Sequence, residues 1–419
     1  MTTIGDVAEI YDGPHATPEK TENGPYFLSI SSLESGRLEL SKSAFLSESD
    51  FQKWTKRVTP RKGDILFSYE TRLGEAALMP EGVRACLGRR MGLLRPKPNK
   101  VTSEYLLYAY ISPQFQRTII SNTIKGATVE RIALNKLSNF NIRIPDFDEQ
   151  KNVAGLLTSI DSKIELNNHI NTELEAMAKT LYDYWFVQFD FPDKDGKPYK
   201  TSGGKMVWNE NLKRAIPEGW DVDKINNIVL VKDGTHDSPK AEETGYPLIT
   251  SKHLLSSGID FESANLISEA EFISINKRSK VETGDILFSM IGTVGTVYKV
   301  EEENINFAIK NVALYKTSHK SEFKNYIYMY LKSWDMQRYM ANVLSGSIQK
   351  FIGLGALREM PLLISITSIK EFEKITAPIF RQINNRKVEN QTLAELRDWL
   401  LPMLMNGQVQ VKNHYVSNN

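Results

Sequence analysis

Apolar and polar residues follow two different periods along this chain, and the change from one to the other occurs twice. An opening pattern of Ile4, Val7 and Ile10 followed by Asp12-Gly13 returns as Ile225, Ile228 and Val231 followed by Asp233-Gly234. Short runs of strand character come next: Tyr26-Phe27-Leu28-Ser29-Ile30 in the first half and Tyr246-Pro247-Leu248-Ile249-Thr250 in the second. Asp64-Ile65-Leu66-Phe67-Ser68 and Asp285-Ile286-Leu287-Phe288-Ser289 then follow, each started by a Gly-Asp turn. Helices are predicted at Ser103–Ser112 and Glu322–Ser333, with Tyr105 corresponding to Tyr326. Each half therefore reads as a mixed α/β globule of about 140–150 residues.

After each globule the apolar spacing lengthens from two to about 3.5 residues, the period of a coiled-coil seam. Following Pro145, Glu149 opens the first rod, with Val153, Leu156, Ile160, Ile164, Ile170, Leu174, Met177, Leu181 and Trp185. The second carries Ile375, Ile379, Ile383, Leu393, Leu396, Leu400 and Leu404. At 1.5 Å per residue, ~35 residues make a rod of about 50 Å. Pro378 is expected to kink or start the second helix, and Pro402 to lie near its end. Asn167 falls at a seam position of the first rod and Asn390 at the matching place in the second. A buried asparagine lowers stability but fixes register. Either the two pair across an antiparallel helix pair, or both are solvated.

The repeat is one of whole domains. Asp12-Gly13-Pro14-His15-Ala16-Thr17-Pro18 returns as Asp233-Gly234-Thr235-His236-Asp237-Ser238-Pro239, and Gly63–Ser68 as Gly284–Ser289, both at a shift of 221 (233 − 12 and 284 − 63). A solenoid unit would repeat every ~20–50 residues. Two similar domains in one chain imply two similar binding surfaces. Residues 191–205, rich in Gly, Pro, Lys and Ser, read as an exposed connection. The tail from Asn406 onward is polar, as mobile termini are.

Composition narrows the choice of function. The formal net charge is +1, so any surface for nucleic acid must be local and offset by acid elsewhere. The single cysteine, Cys86, excludes an internal disulfide and a cysteine-rich metal site, and its apolar setting fits a buried small side chain. No apolar run approaches the ~20 residues of a membrane span, and the N-terminus lacks a signal-peptide pattern, so cytoplasmic residence is expected. A phosphate-binding Gly-x-x-x-x-Gly-Lys-Ser/Thr loop is missing, as is an Asn/Asp-Pro-Pro-aromatic tetrad suited to amino methylation. The six histidines are scattered, without a His-x-x-x-His pair. Asp193, Asp195 and Lys197 have nuclease-like residue types but sit too close together, as a solvated charge run would.

Recognition by loops remains. Tyr69-Glu70-Thr71-Arg72-Leu73-Gly74 answers to Met290-Ile291-Gly292-Thr293-Val294-Gly295; one glycine is kept and the side chains change. Lys125–Arg131, with Thr128 and Arg131, answers to Ser345–Phe351, with Gln349 and Lys350; Arg89-Arg90 answers to Lys310-Asn311. Arg and Lys suit phosphates and guanine edges, and Asn and Gln suit adenine. His15, Thr71, Arg72, Arg89, Arg90, Thr128 and Arg131 are thus the DNA-contact candidates of the first domain. Those of the second are His236, Lys252, Thr293, Lys310, Asn311, Gln349 and Lys350. Each has a plainer alternative as a turn residue or ordinary surface.

The chain resembles the specificity (S) subunits of type I restriction–modification systems over nearly its whole length. The resemblance lies in the doubled Gly-Asp-Ile-Leu-Phe-Ser frame, Leu181-Tyr182-Asp183-Tyr184-Trp185-Phe186-Val187, and Phe189-Asp190-Phe191-Pro192 through Ser202-Gly203-Gly204-Lys205-Met206. Ile216-Pro217-Glu218-Gly219-Trp220 and Leu396-Arg397-Asp398-Trp399-Leu400-Leu401-Pro402 with Asn406-Gly407 belong to it too. Ser365–Phe372 departs from it, lacking the Pro and Glu-Gln found at Pro145 and Glu149-Gln150. The resemblance implies an α+β chain: two mixed α/β target-recognition domains separated by a long antiparallel two-helix coiled coil, with pseudo-two-fold symmetry. The expected layout is a first domain over 1–148, a spacer helix over 149–188, a linker over 189–220, a second domain over 221–368, a spacer helix over 369–406 and a tail over 407–419.

It also implies a non-catalytic subunit that reads a bipartite asymmetric site in double-stranded DNA, with the helices as a ruler between half-sites. Two methyltransferase (M) subunits would dock on it, with S-adenosylmethionine, and motor-nuclease (R) subunits would add ATP and Mg2+; this chain would hold no cofactor or metal itself. The alternatives are the recognition subunit of another restriction-like defence system and a coiled-coil scaffold for proteins.

Overall fold

The structure, a computed structural model, describes residues 2–34, 36–124, 129–255, 258–344, 346 and 350–411. The chain forms two units, residues 1–167 with 388–419 and residues 168–387.

In the first unit, four antiparallel strands lie in the order Ala8–Asp12, Met91–Pro96, Ile65–Ser68, Ala76–Leu78. The second unit has the same order: Val231–Asp233, Val312–Tyr315, Ile286–Ser289, Val297–Lys299. Register is kept as well. Leu94 stands opposite both Ile10 and Ile65, and Tyr315 opposite both Val231 and Ile286. Every residue of Ile65–Ser68 and Ile286–Ser289 is buried, which explains their continuous apolar character. A second small sheet in each unit pairs Thr21–Phe27 in parallel with Ala85–Cys86, and Tyr246–Ile249 in parallel with Ala308–Ile309. Cys86 is fully buried, and burial pushes its thiol up to about 12, far from a nucleophile's range.

The aspartate that opens the repeated frame is structural. Arg95 donates to the buried Asp64 carboxylate from Nε (2.9 Å) and Nη2 (2.7 Å). At the equivalent place, Lys316 Nζ donates to Asp285 at 2.6 Å, and the amide of Ser318 adds a 3.2 Å bond. A buried carboxylate needs such partners. This need, not DNA contact, accounts for the Gly-Asp turn in both copies.

The two long helices are Phe147–Tyr182, of 36 residues, and Ile366–Met405, of 40. A π-helical stretch, Asp183–Val187, extends the first. Each begins slightly before the expected 149 and 369, because a cap stands there. Asp146 Oδ1 accepts the Glu149 amide (2.9 Å), and Ser365 Oγ accepts that of Ser368 (3.4 Å). Ser365 thus does the work that the missing Pro and Glu-Gln would suggest is absent. Pro378 lies inside the second helix without ending it.

Both helices enter both cores. In the first unit, Val153, Ala154 and Leu157 share a core with Leu401, Leu404, Met405, Tyr105 and Leu106. In the second, Ala178, Tyr182, Trp185 and Phe186 share one with Ile369, Phe372, Phe380, Ile383 and Tyr326. The helices pair antiparallel within each unit. Arg397 Nη1 donates to Asp161 Oδ1 at 2.9 Å. Further along, Asn167 Nδ2 donates to Asn390 Oδ1 and to Glu389 Oε2, both at 2.8 Å. In the other unit, the buried Asn171 donates to the Ile383 carbonyl at 3.4 Å.

Residues 189–220, expected as a linker, carry order of their own within the second unit. Met206–Asn209 and Arg214–Pro217 form a hairpin, and Phe191 stacks on Tyr199 and Trp220 with ring centres 4.8 Å apart in each case. Asp190 accepts the Thr201 amide (2.7 Å) and hydroxyl (2.6 Å). Asp193 closes a turn by accepting the amides of Asp195 (2.8 Å) and Lys197 (2.9 Å). A turn carboxylate is therefore what the Asp-x-Asp-x-Lys run contains.

One buried cation in the second unit yields a measurable effect. Lys299 Nζ sits 3.8 Å from the centre of the Phe380 ring, donates to Asn325 Oδ1 (3.0 Å) and pairs with Glu301 (3.0 Å). Burial pulls its ammonium down to about 8. An unfolded lysine titrates near ~10.4, so the folded state penalises the charged form. Its full cost is present below pH 8 and is relieved as pH rises from 8 toward ~10. The stability of the parent relative to Lys299→Met is therefore expected to rise by about 1–3 kcal/mol between pH 7 and pH 10. Denaturant melts of both proteins at the two pH values check this, and a difference between them that does not change with pH would contradict it.

Candidate nucleic-acid interface

The strand ends and turns of each unit converge on one set of loops. In the first, Gly13 lies so close to the neighbouring strand that an added Cβ would fall 2.5 Å from the Met91 carbonyl oxygen; at Gly234 the clash would be with that of Ile309 at 2.1 Å. Only glycine lets this turn sit there. The following histidine is held by the aspartate before the glycine: His15 Nε2 to Asp12 Oδ2 at 2.9 Å, and His236 Nε2 to Asp233 Oδ2 at 2.8 Å. Both rings are largely exposed, 66% and 60%.

A cleft of about 740 Å³ opens around the first of these turns, lined by Asp12, His15, Lys53, Trp54, Lys56 and Arg57 among others. Lys53 pairs with Asp50 at 3.1 Å; Lys56 and Arg57 are exposed, beyond the helix Glu48–Trp54. The Tyr69 phenol and the Asp12 carboxylate are buried neighbours at this turn. Burial, then the nearby Asp12 charge, holds the Tyr69 phenol well above its ordinary range, so it stays a neutral donor.

Lys56-Arg57 returns as Lys277-Arg278 at the same shift of 221, in the last turn of the helix Glu269–Ser279. The pairs stand seven residues before Gly63 and Gly284. Sequence reading that compared only the glycine-marked loops passed over them, although the constant shift was enough to find them. Cations at a helix C-terminus also complement its dipole. Arg278 differs from Arg57 in that its guanidinium donates to Asp233 Oδ1.

The other candidates divide clearly. Arg90 holds a left-handed backbone (φ 69) and turns its Nε onto Glu70 Oε2 at 2.6 Å; Thr71, also left-handed (φ 72), accepts from Arg90 Nη1 at 3.4 Å. Arg131 is exposed, and its backbone bridges to Glu70. Those residues meet in one loop cluster. Arg72 instead points into its own domain, donating to Glu75 (3.2 Å) and the Ile30 carbonyl (3.4 Å). Arg89 is exposed and makes no ion pair among the described residues.

In the second unit, His236 Nδ1 meets Asn311 Oδ1 at 2.7 Å, and Lys310 Nζ donates to Ser238 Oγ at 2.6 Å. Ser251 Oγ donates to the Asn311 carbonyl (3.1 Å) and accepts the Ile291 amide (3.4 Å), which joins the turn bearing the exposed Lys252 to the loop bearing the exposed Thr293. The Gly292 amide donates to the Lys350 carbonyl at 3.2 Å, adding the last loop. Thr128 and Gln349 lie outside the described residues. No helix is long and apolar enough to cross a membrane, and no cluster of metal-ligating side chains occurs, among the described residues.

A family model described as the type I restriction modification DNA specificity domain matches residues 1–176 and 217–397. The MjaIX specificity subunit of a type I restriction enzyme from Methanocaldococcus jannaschii is 25% identical over 372 residues, covering 88% of this chain and 82% of that protein. The HindI specificity subunit from Haemophilus influenzae is 24% identical, covering 83% of this chain and 87% of that one. In fold, the chain aligns with a crystal structure of a type I restriction–modification S subunit from M. genitalium. The TM-score is 0.53 at 18% identity, across 96% of this chain and 95% of that one.

Proposed function

Because this chain belongs to the type I restriction–modification DNA specificity family, we propose that it reads a bipartite, asymmetric DNA site, each domain taking one half. The observation that carries this reading is a frame kept in register at a shift of 221 with different side chains on its loops: Arg90 where the other domain has Asn311, Tyr69 where it has Met290. Like frames support like placement on the duplex, and unlike loops support unlike sequences. Exposed Lys56, Arg57 and Lys277 contact phosphates and set register, while His15, Arg89 and Asn311 face bases.

Catalysis belongs to partners. Two methyltransferase subunits, bringing S-adenosylmethionine, dock on this chain, and motor-nuclease subunits bring ATP and Mg2+. A pair of matching surfaces favours two copies of one partner: Leu181-Tyr182-Asp183-Tyr184 and Leu396-Arg397-Asp398-Trp399 each present an exposed aromatic, Tyr184 and Trp399. An adenine to be methylated must leave the base stack, at an unstacking cost of a few kcal/mol that the assembled complex offsets.

The test is DNA binding by the chain reconstituted with its methyltransferase partner over a range of salt. Affinity should fall linearly on a log–log plot and be far tighter for one bipartite sequence than for random DNA. A protein scaffold would show neither.

A further inference from the structure

The second domain holds a relay that ends on a base-reading side chain. Arg278 donates to Asp233 Oδ1, Asp233 Oδ2 faces His236 Nε2 at 2.8 Å, and His236 Nδ1 faces Asn311 Oδ1 at 2.7 Å. Asp233 is only 3% exposed, so it cannot turn away to solvent, whereas His236 is exposed and Asn311 is half-buried. Asn311 also holds a left-handed backbone (φ 54), which fixes where its amide starts from. The first domain lacks this chain of contacts: at the matching place Arg90 turns to Glu70, and Arg57 makes no ion pair among the described residues.

Hydrogen-bond polarity now constrains the relay. A carboxylate only accepts, so His236 Nε2 carries a proton. When Asn311 Oδ1 is the atom that faces the ring, Nδ1 has to donate as well, which only a doubly protonated imidazole can do. In that state the Asn311 Nδ2 hydrogens point outward, and the outer face offers donors. With the imidazole neutral, Nδ1 becomes an acceptor and the Asn311 amide turns over, an exchange of O and N that leaves its shape unchanged. One Nδ2 hydrogen then satisfies the ring. The other hydrogen and Oδ1 remain outward, the pair that matches adenine N7 and N6.

We infer that the protonation state of His236 sets which hydrogen-bonding edge Asn311 presents, and hence whether the second domain prefers adenine or an acceptor-rich guanine edge at one base pair. The inference rests on the DNA-reading role proposed above. His236 is a positioning residue in this scheme, and Asn311 determines specificity. Asp233 and Arg278 sit on one side of the ring, Asp237 follows it in the turn, and Lys310 precedes Asn311; of these groups only the imidazole meets the Asn311 side chain among the described residues.

The experiment uses the full chain with its methyltransferase partner, a randomised DNA library, and sequencing of the methylated products at pH 6 and pH 8. At one position of one half-site, the adenine-over-guanine preference should be roughly tenfold greater at pH 8 than at pH 6, the scale of one bidentate contact. His236→Gln should abolish the pH dependence at that position while leaving the rest of the consensus intact. Asn311→Ala should remove the preference there and nowhere else. A defined bipartite consensus whose every position is indifferent to pH, or an Asn311→Ala consensus unchanged from the parent's, overturns the relay and leaves the DNA-reading role standing. The absence of any consensus in the parent complex removes both.

Discussion

Alanine at Lys56, Arg57 and Lys277 together should weaken DNA binding by the assembled complex about 100- to 1,000-fold near 0.15 M salt. Each cation that meets a phosphate releases counterions, at a slope of about 0.9 per contact, so the log–log salt dependence should flatten by roughly 3. The methylated consensus should survive, since phosphate contacts position the protein without reading bases. Lys56, Arg57 and Lys277 are surface residues, so thermal stability should barely move. Filter binding or fluorescence anisotropy across a salt series reads all of this. Unchanged affinity with unchanged slope would remove the cleft beside His15 and its counterpart from the DNA path.

A second large effect is expected from the long helices. Seven residues inserted after Asn168, with seven more before Arg386, keep the coiled-coil seam because the insert is one whole heptad. Each helix then lengthens by about 10.5 Å, equal to about three base pairs at 3.4 Å each. The non-specific spacer between half-sites should grow by about that number, with both half-sites unchanged. An active insertion mutant with its original spacer would contradict the ruler. Leucine at both Asn167 and Asn390 addresses the pairing itself: it replaces a hydrogen-bonded amide pair in a helix seam, so it should raise the melting temperature while loosening register.

The frame was legible in the sequence because burial imposes it. Ile65–Ser68 and Ile286–Ser289 are buried throughout, so mutation has little room, and the repeat survives there. Much of the helix seam was legible for the same reason, down to the two asparagines, but Met177, Ile375 and Leu396, which the spacing placed in it, are exposed. Side-chain partners across long separations were not. Asp161 receives Arg397, Arg37 and Tyr108, from three separate parts of the chain. Nothing in local spacing announces that meeting. Arg72 looked like a DNA contact because it follows Thr71 in a loop, but Glu75 and the Ile30 carbonyl draw it inward. Ser365 hid the start of the second helix, since a serine cap does with one hydroxyl what Asp146 does in the first. Residues 189–220 looked like a tether from their Gly, Pro and Lys content, yet three aromatic rings and one carboxylate give them a fixed path.

One repeated frame, used twice with different loops, is proposed to read two different half-sites. The most direct test is single-molecule mapping of methylated adenines in DNA modified by the complex built on this chain. The predicted result is one bipartite sequence whose halves differ and whose spacer is of fixed length. It should shift in one half only when residues 69–74 are replaced by residues 290–295. A contiguous site, identical halves, or a loop exchange that alters both halves would contradict the account.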